Sequence, residues 1–268
     1  MKNKVILISI DGLRPDGFLQ CGHPFVREMA ERFVCTLTGC SVDPPVTLPC
    51  HMSMFYGVTP AEHGVLTNGC TSPSHPMNGV GELLSAAGKK GAVFYNWEPI
   101  RHIWPSESMK YTSFADYFEE ENSDLLLTEQ LLSLLARRDI DFSFLYLGET
   151  DEKGGHGHGW MTKEYLKHAA NAVGCVEKIF RAASNDYHII VTADHGGHDM
   201  THGVICPEDM TIPMFFWGTS FYKGMEMENL SLLDLAPTIA SILDLPASPQ
   251  WTGCSRIHAP QRETEKSP

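Results

Sequence analysis

The sequence of 268 residues predicts an α/β fold, a mostly parallel central sheet with helices on both faces. Three observations predict it. Short β-branched or aromatic runs recur along the chain, stretches of helical period separate them, and polar clusters follow directly on several of the runs.

The first run, residues 5–10, is apolar at nearly every position and is cut off by Asp11. A strand covered on both faces needs such a continuous run rather than alternation. Residues 92–95, 142–147, 188–192 and 212–217 have the same character and read as further parallel strands. Helical patterns occupy 81–87, 124–138, 163–183 and 232–243. No repeat or low-complexity linker divides the chain, so residues 1–258 read as a single domain. Residues 259–268, polar with two prolines, read as a frayed tail. The stretch 97–118 carries Trp97, Trp104, Tyr111, Phe114 and Tyr117, which fits either an aromatic lid or simple packing.

The formal charge of -13, with no basic cluster, excludes a nucleic-acid polymer as partner. A small phosphate ester stays open, because bound cations reverse a local field. None of the eight cysteines forms a CxxC pair, so they read as free thiols in a reducing compartment. The opening apolar run is too short for a signal peptide or a membrane span. A cytoplasmic protein with no membrane partner is expected, and the sequence leaves its oligomeric state open.

Asp11 follows the first strand, Glu149-Thr150-Asp151 the third and Asp194-His195 the fourth. Open α/β sheets bind ligands at the carboxyl ends of their strands. Three acidic clusters converging there need cations between them, since like charges raise one another's pKa.

Four segments carry the chemistry: Ile8-Ser9-Ile10-Asp11-Gly12, Val46-Thr47-Leu48-Pro49-Cys50-His51, Thr150-Asp151-Glu152-Lys153-Gly154-Gly155-His156, and Thr192-Ala193-Asp194-His195-Gly196-Gly197-His198 leading to Thr201-His202-Gly203. With Thr59-Pro60-Ala61-Glu62-His63-Gly64 and Ser231-Leu232-Leu233-Asp234, they resemble the alkaline phosphatase superfamily over nearly the whole chain. The nearest branch is the nucleotide pyrophosphatase/phosphodiesterases.

That resemblance implies a three-layer sandwich and a two-metal hydrolase of phosphoric esters. One divalent ion would be held by Asp11, Thr47, Asp194 and His195, the second by Asp151, His156 and His202. Oxygen and nitrogen donors alone suit zinc. Thr47 would be the nucleophile, passing through a phospho-threonine, and Asn68 would donate to a phosphoryl oxygen. Three carboxylates and a Thr47 alkoxide balance two divalent ions.

The chain departs from the family at several points. Asp151 and His156 are five positions apart where the family has four, with Gly154-Gly155 carrying the extra residue. Counting back from Gly159-Trp160-Met161 favours His156 over His158, and Gly203 favours His202 over His198. Leu48 replaces a frequent aromatic and Cys50 a frequent asparagine, which weakens the case for nucleotides.

A sulfatase would need Cys or Ser before x-Pro-x-Arg, and a phosphomutase normally carries further insertions. Phosphomonoester or phosphonate hydrolysis by the same site is the alternative, and a catalytically lapsed metal-binding module the remote one. No Lys or Arg lies between Arg32 and Lys89 or between Arg181 and Lys223. That absence predicts monoanionic esters over dianionic monoesters.

Overall fold

The computed structural model describes residues 3–257 apart from 70, 71, 106, 223, 224 and 226, so the expected tail at 259–268 lies outside the described residues. Seven strands form one sheet: β1 (Val5–Ile10), β2 (Val34–Cys40), β3 (Gly91–Tyr95), β4 (Met109–Phe114), β5 (Phe142–Leu147), β6 (His188–Thr192) and β7 (Thr211–Trp217). Their order is β2-β7-β6-β1-β5-β3-β4. From β6 to β4 neighbouring strands are parallel. β1, β5 and β6 are buried at every residue, as strands covered on both faces must be.

One expectation is corrected here. Residues 212–217 belong to an antiparallel strand, since β7 runs against β6 and β2 runs against β7. A parallel return needs a crossover that spans the sheet, whereas an antiparallel strand can come straight back. Between β6 and β7 the chain forms only a loop and the four-residue helix α8 (Pro207–Met210).

Helices cover both faces. One group comprises α1 (Pro15–Gln20), α2 (Phe25–Arg32), α6 (Ser123–Leu135) and α7 (Lys163–Ala183), which pack on one another. The other comprises α3 (Thr47–Tyr56), α4 (Pro60–His63), α5 (Val80–Ala86) and α9 (Leu235–Ile242). In α7 the Thr162 hydroxyl accepts from the Tyr165 N–H at 3.3 Å and so caps the first turn. Tyr165, Ala169, Ala172, Val176, Ile179 and Ala183 then form the buried stripe that period 3.6 requires. The pattern at 232–243 splits into a 3-10 turn, Leu232–Asp234, and α9. Ser231 and Asp234 cap that turn reciprocally, and Pro237 lacks an N–H and is tolerated only near a helix start.

α3 is buried at all ten positions and ends on Gly57 in the left-handed region. It carries no amphipathic signature because no side of it meets solvent. Pro49 in its first turn blocks no bond there. The aromatic stretch resolves into packing: the Trp104 ring centroid lies 4.4 Å from that of Phe55 and 5.8 Å from that of Phe144, while Tyr111 and Phe114 belong to β4. Among the described residues no helix is long and apolar enough to cross a membrane.

Candidate metal centre

The carboxyl ends of β1, β5 and β6 and the start of α3 meet at one place. Asp11 extends the β1 ladder, its N–H donating to the Leu147 carbonyl at 3.0 Å. Gly12 then turns with φ +65°, and a Cβ there would lie 2.7 Å from Asp151 Oδ1. Only glycine fits this close approach. Asp194 and His195 leave β6, and Asp194 Oδ1 accepts the N–H groups of Gly12 (3.2 Å) and His195 (2.9 Å). Thr47 opens α3 with its Oγ1 3.3 Å from His195 Nε2.

The five-residue spacing from Asp151 to His156 has a structural explanation. Thr150–His156 is a π-helix, the form a helix takes when one extra residue is inserted into a turn. The wider turn returns His156 to the side of Asp151, with Nε2 3.4 Å from Oδ2. His158 is exposed, and the His198 Nδ1 donates to Asp209 Oδ1 at 2.7 Å. The structure therefore brings His156 and His202, rather than their rivals, to this cluster: their ring centroids are 5.1 Å apart, and His202 stacks on His195 at 3.8 Å.

All three histidines present the same nitrogen. The Nδ1 atoms of His156, His195 and His202 donate to the carbonyls of Met200 (3.0 Å), Gly196 (2.8 Å) and Pro45 (3.0 Å). That fixes the tautomer and leaves each Nε2 lone pair free for a cation. Asp11, Asp194 and His195 hold ligand atoms within 4.8 Å of one another, and so do Asp151, His195 and His202.

The electrostatics call for positive charge. Asp11, Asp151 and Asp194 are all buried, and Asp11 Oδ1, Asp151 Oδ1 and Asp194 Oδ2 have no hydrogen-bond partner. Burial, then the neighbouring carboxylates, push Asp11 and Asp151 well above the usual range. Burial pushes Asp194 up to about 7. Ionised together, these groups would be strongly unfavourable, and two divalent cations would remove that penalty and complete the orphaned oxygens. The donor set fits such ions.

Asn68 is exposed, and its Oδ1 accepts the Leu48 N–H at 3.0 Å, which leaves its amide NH2 as the open end. Leu48 is fully buried and contributes to the core rather than to a substrate surface. Three basic side chains, Lys153, Arg14 and Arg101, are engaged with other groups. Lys153 Nζ donates to the carbonyls of Glu120 and Glu121 and to Glu149. Arg14 pairs with Asp16 and the Gly197 carbonyl, and Arg101 with Tyr95 and Glu98.

Several supporting residues escape sequence reasoning. His51, four positions after Thr47, is fully buried, and burial lowers it to about 3, so it is neutral. Its Nδ1 donates to the Thr47 carbonyl at 2.8 Å and its Nε2 accepts from Ser9 at 3.0 Å, tying α3 to β1. The Tyr146 hydroxyl donates to Asp11 Oδ2. Trp160 is wedged between three ligand-bearing segments: its N–H donates to the Gly12 carbonyl at 2.9 Å, and its ring lies 5.3 Å from His156 and 6.1 Å from His202. A Cβ on Gly155 would stand 2.5 Å from that ring, and one on Gly197 closer still. The His51 spacing and the adjacent glycines were the available signals.

Comparison with known proteins agrees with the fold. Human ectonucleotide pyrophosphatase/phosphodiesterase family member 1 is 25% identical over 217 residues, which cover 71% of this chain and 23% of that protein. The chain thus spans about a quarter of the length of the curated relatives first matched. The murine ectonucleotide pyrophosphatase/phosphodiesterase 5 structure superposes with a TM-score of 0.70 at 15% identity, covering 91% of this chain and 96% of that one. A phosphonate monoester hydrolase of Agrobacterium radiobacter gives 0.72 at 14% identity, covering 94% and 76%. The model of the type I phosphodiesterase / nucleotide pyrophosphatase family matches residues 5–213, more than half of the sequence, and the chain belongs to that family.

Proposed function

We propose that this chain hydrolyses phosphoric esters, preferring diesters and other monoanions, with Thr47 as nucleophile. The observation that carries the reading is the placement of Thr47 Oγ1 at the start of α3, 3.3 Å from His195 Nε2, beside three buried carboxylates with unpartnered oxygens. Asp11, Thr47, Asp194 and His195 would hold one divalent ion, and Asp151, His156 and His202 the other. Zinc suits these donors. When bound, the ions would supply the charge that lets an alkanol ionise near neutral pH and that offsets the phosphoryl oxygens.

Thr47 Oγ1 loses its proton to solvent and attacks phosphorus, the bond to the leaving alcohol breaks as that oxygen takes a proton from water, and the remaining phosphoryl group is carried on Thr47. Water then cleaves that phospho-threonine and regenerates the hydroxyl. His51 and Ser9 fix the backbone that presents Thr47. The free amide of Asn68 donates to a phosphoryl oxygen as charge develops. Release of the small phosphate ester's two halves requires no membrane and no nucleic-acid polymer. The described cysteines are all free thiols, which supports a reducing, cytoplasmic setting.

Charge supports the diester preference. A monoester dianion is usually met by Arg or Lys in addition to metal, and Arg14, Lys153 and Arg101 are each bound to other groups. A phosphodiester and a phosphonate monoester share a single negative charge, and the family's description and one structural neighbour name those two classes. The test compares kcat/KM for 4-nitrophenyl phosphate and a 4-nitrophenyl phosphodiester on the same metal-loaded protein. The diester is expected to win; a monoester preference of tenfold, about 1.4 kcal/mol at the transition state, would overturn the charge reasoning.

A further inference from the structure

The loop between β6 and β7 gathers a second, chemically different set of donors. His198 Nδ1 lies 2.7 Å from Asp209 Oδ1 and 3.9 Å from Cys206 Sγ, and the three atoms all lie within 4.8 Å of one another. None of these residues belongs to the cluster around Thr47. Asp209 is completely buried, and its other oxygen accepts the N–H groups of Gly203 (2.8 Å) and Val204 (3.0 Å). Those two bonds aim Oδ1 at His198, the kind of outer support that orients carboxylate ligands in metal sites. His198 and Cys206 are half-buried, so the trio opens to solvent on one side.

We propose that His198, Cys206 and Asp209 form a separate metal site for one borderline-soft divalent cation of the zinc class, with solvent in the fourth position. Tetrahedral zinc, with bonds of about 2.0–2.3 Å, sets its donors roughly 3.3–3.6 Å apart. The nitrogen–oxygen gap here must open by about half an ångström and the nitrogen–sulfur gap close by less than that, both within reach of side-chain rotation. A thiol, an imidazole and a single carboxylate disfavour magnesium and calcium, which take oxygen ligands. Binding releases the Sγ proton to solvent, moves the His198 ring proton from Nδ1 to Nε2, and involves no change of oxidation state.

The position gives the site a consequence. His198 and Cys206 stand four residues to either side of His202, so an ion joining them closes a short loop with His202 at its middle. The Gly203 and Val204 bonds to Asp209 already shape that loop, and the ion would clamp both of its arms. Filling this site should therefore hold His202 in place without touching substrate.

The donor chemistry separates this site from the one around Thr47, which has only oxygen and nitrogen ligands. Reduced full-length protein is titrated with Co²⁺ and followed for a thiolate-to-cobalt charge-transfer band, a signal that needs no turnover. The band is expected in wild type and in Thr47→Ala, weakened at least tenfold in apparent affinity in His198→Ala, and absent in Cys206→Ser. Circular dichroism verifies that each variant is folded. Absence of the band in wild type, or its persistence in Cys206→Ser, overturns the proposal. Should Cys206→Ser fail to fold, peptide-resolved alkylation of wild type decides: Zn²⁺ should protect Cys206 at least tenfold, and equal labelling with and without zinc refutes the site.

Discussion

Removing the metals should change how stability depends on pH, and Asp194 sets the size of the change. Burial raises this carboxyl from 3.8 to about 7 in the metal-free fold. Above pH 4 the unfolded chain has lost this proton while the folded chain keeps it, so folded protein binds more protons and stability falls as pH rises. That contribution is fully present below 3.8 and is lost as pH climbs through about 7. Each pH unit well below the raised pKa is about 1.4 kcal/mol and the slope halves at pH 7, so from pH 5 to 7 Asp194 alone costs about 2 kcal/mol. With about 2.1 cal/mol/K of unfolding entropy per residue, a chain of this length would lose about 4 °C in Tm. Asp11 and Asp151, shifted in the same direction, deepen the loss. In the loaded protein the cations replace those protons, and the downward slope should vanish. Thermal melts at pH 5, 6 and 7, with chelator and with added zinc, measure both profiles. Parallel profiles would refute the claim that this carboxylate cluster is built around cations.

Thr47→Ala should lower turnover by orders of magnitude with an unchanged circular dichroism spectrum, while Thr47→Ser keeps part of it. Acid-quenched wild type should carry phosphate on Thr47, and near-normal activity in the Ala variant would assign the attack to water. Trp160→Phe keeps the wedge but loses the bond to Gly12, costing about 1 kcal/mol in denaturant unfolding. Trp160→Ala should cost about 3–5 kcal/mol and release the ion proposed for Asp151, His156 and His202. An unchanged metal-to-protein ratio in that variant would show that Trp160 does not position the ligands. Gly197→Ala drives a methyl into the Trp160 ring and should destabilise by about 1–3 kcal/mol, and a wild-type melting point would contradict the packing described.

What the sequence made legible follows burial. β1, β5 and β6 lie inside the sheet and occupy the predicted spans, because strands enclosed on both faces must be apolar without interruption. The edges were silent. β2 is a polar, Gly-containing segment with one neighbour, and β4 alternates between half-buried and exposed residues. β7 was seen but not its direction, which depends on the route of its connection rather than on its composition. Asp11, Asp151, Asp194 and His195 could be located because they follow directly on recognisable strands. His51, Tyr146 and Trp160 act through single hydrogen bonds to segments distant in the chain, which leave no periodicity to read.

The place of β1 in the sheet bears on how the chain matures during synthesis. Val5 pairs with Phe142 on one side and His188 on the other, so β1 waits for partners made well over a hundred residues after it. Until β6 emerges, β1 offers an unpaired apolar edge, the kind of surface that aggregates or recruits chaperones. Asp11 is translated well before Asp194, His195 and His202, which lie far along the chain from it. Metal ions at this cluster would therefore not template nucleation. Bound by this cluster, they would act as a late lock, trapping a sheet whose long-range pairings have already closed.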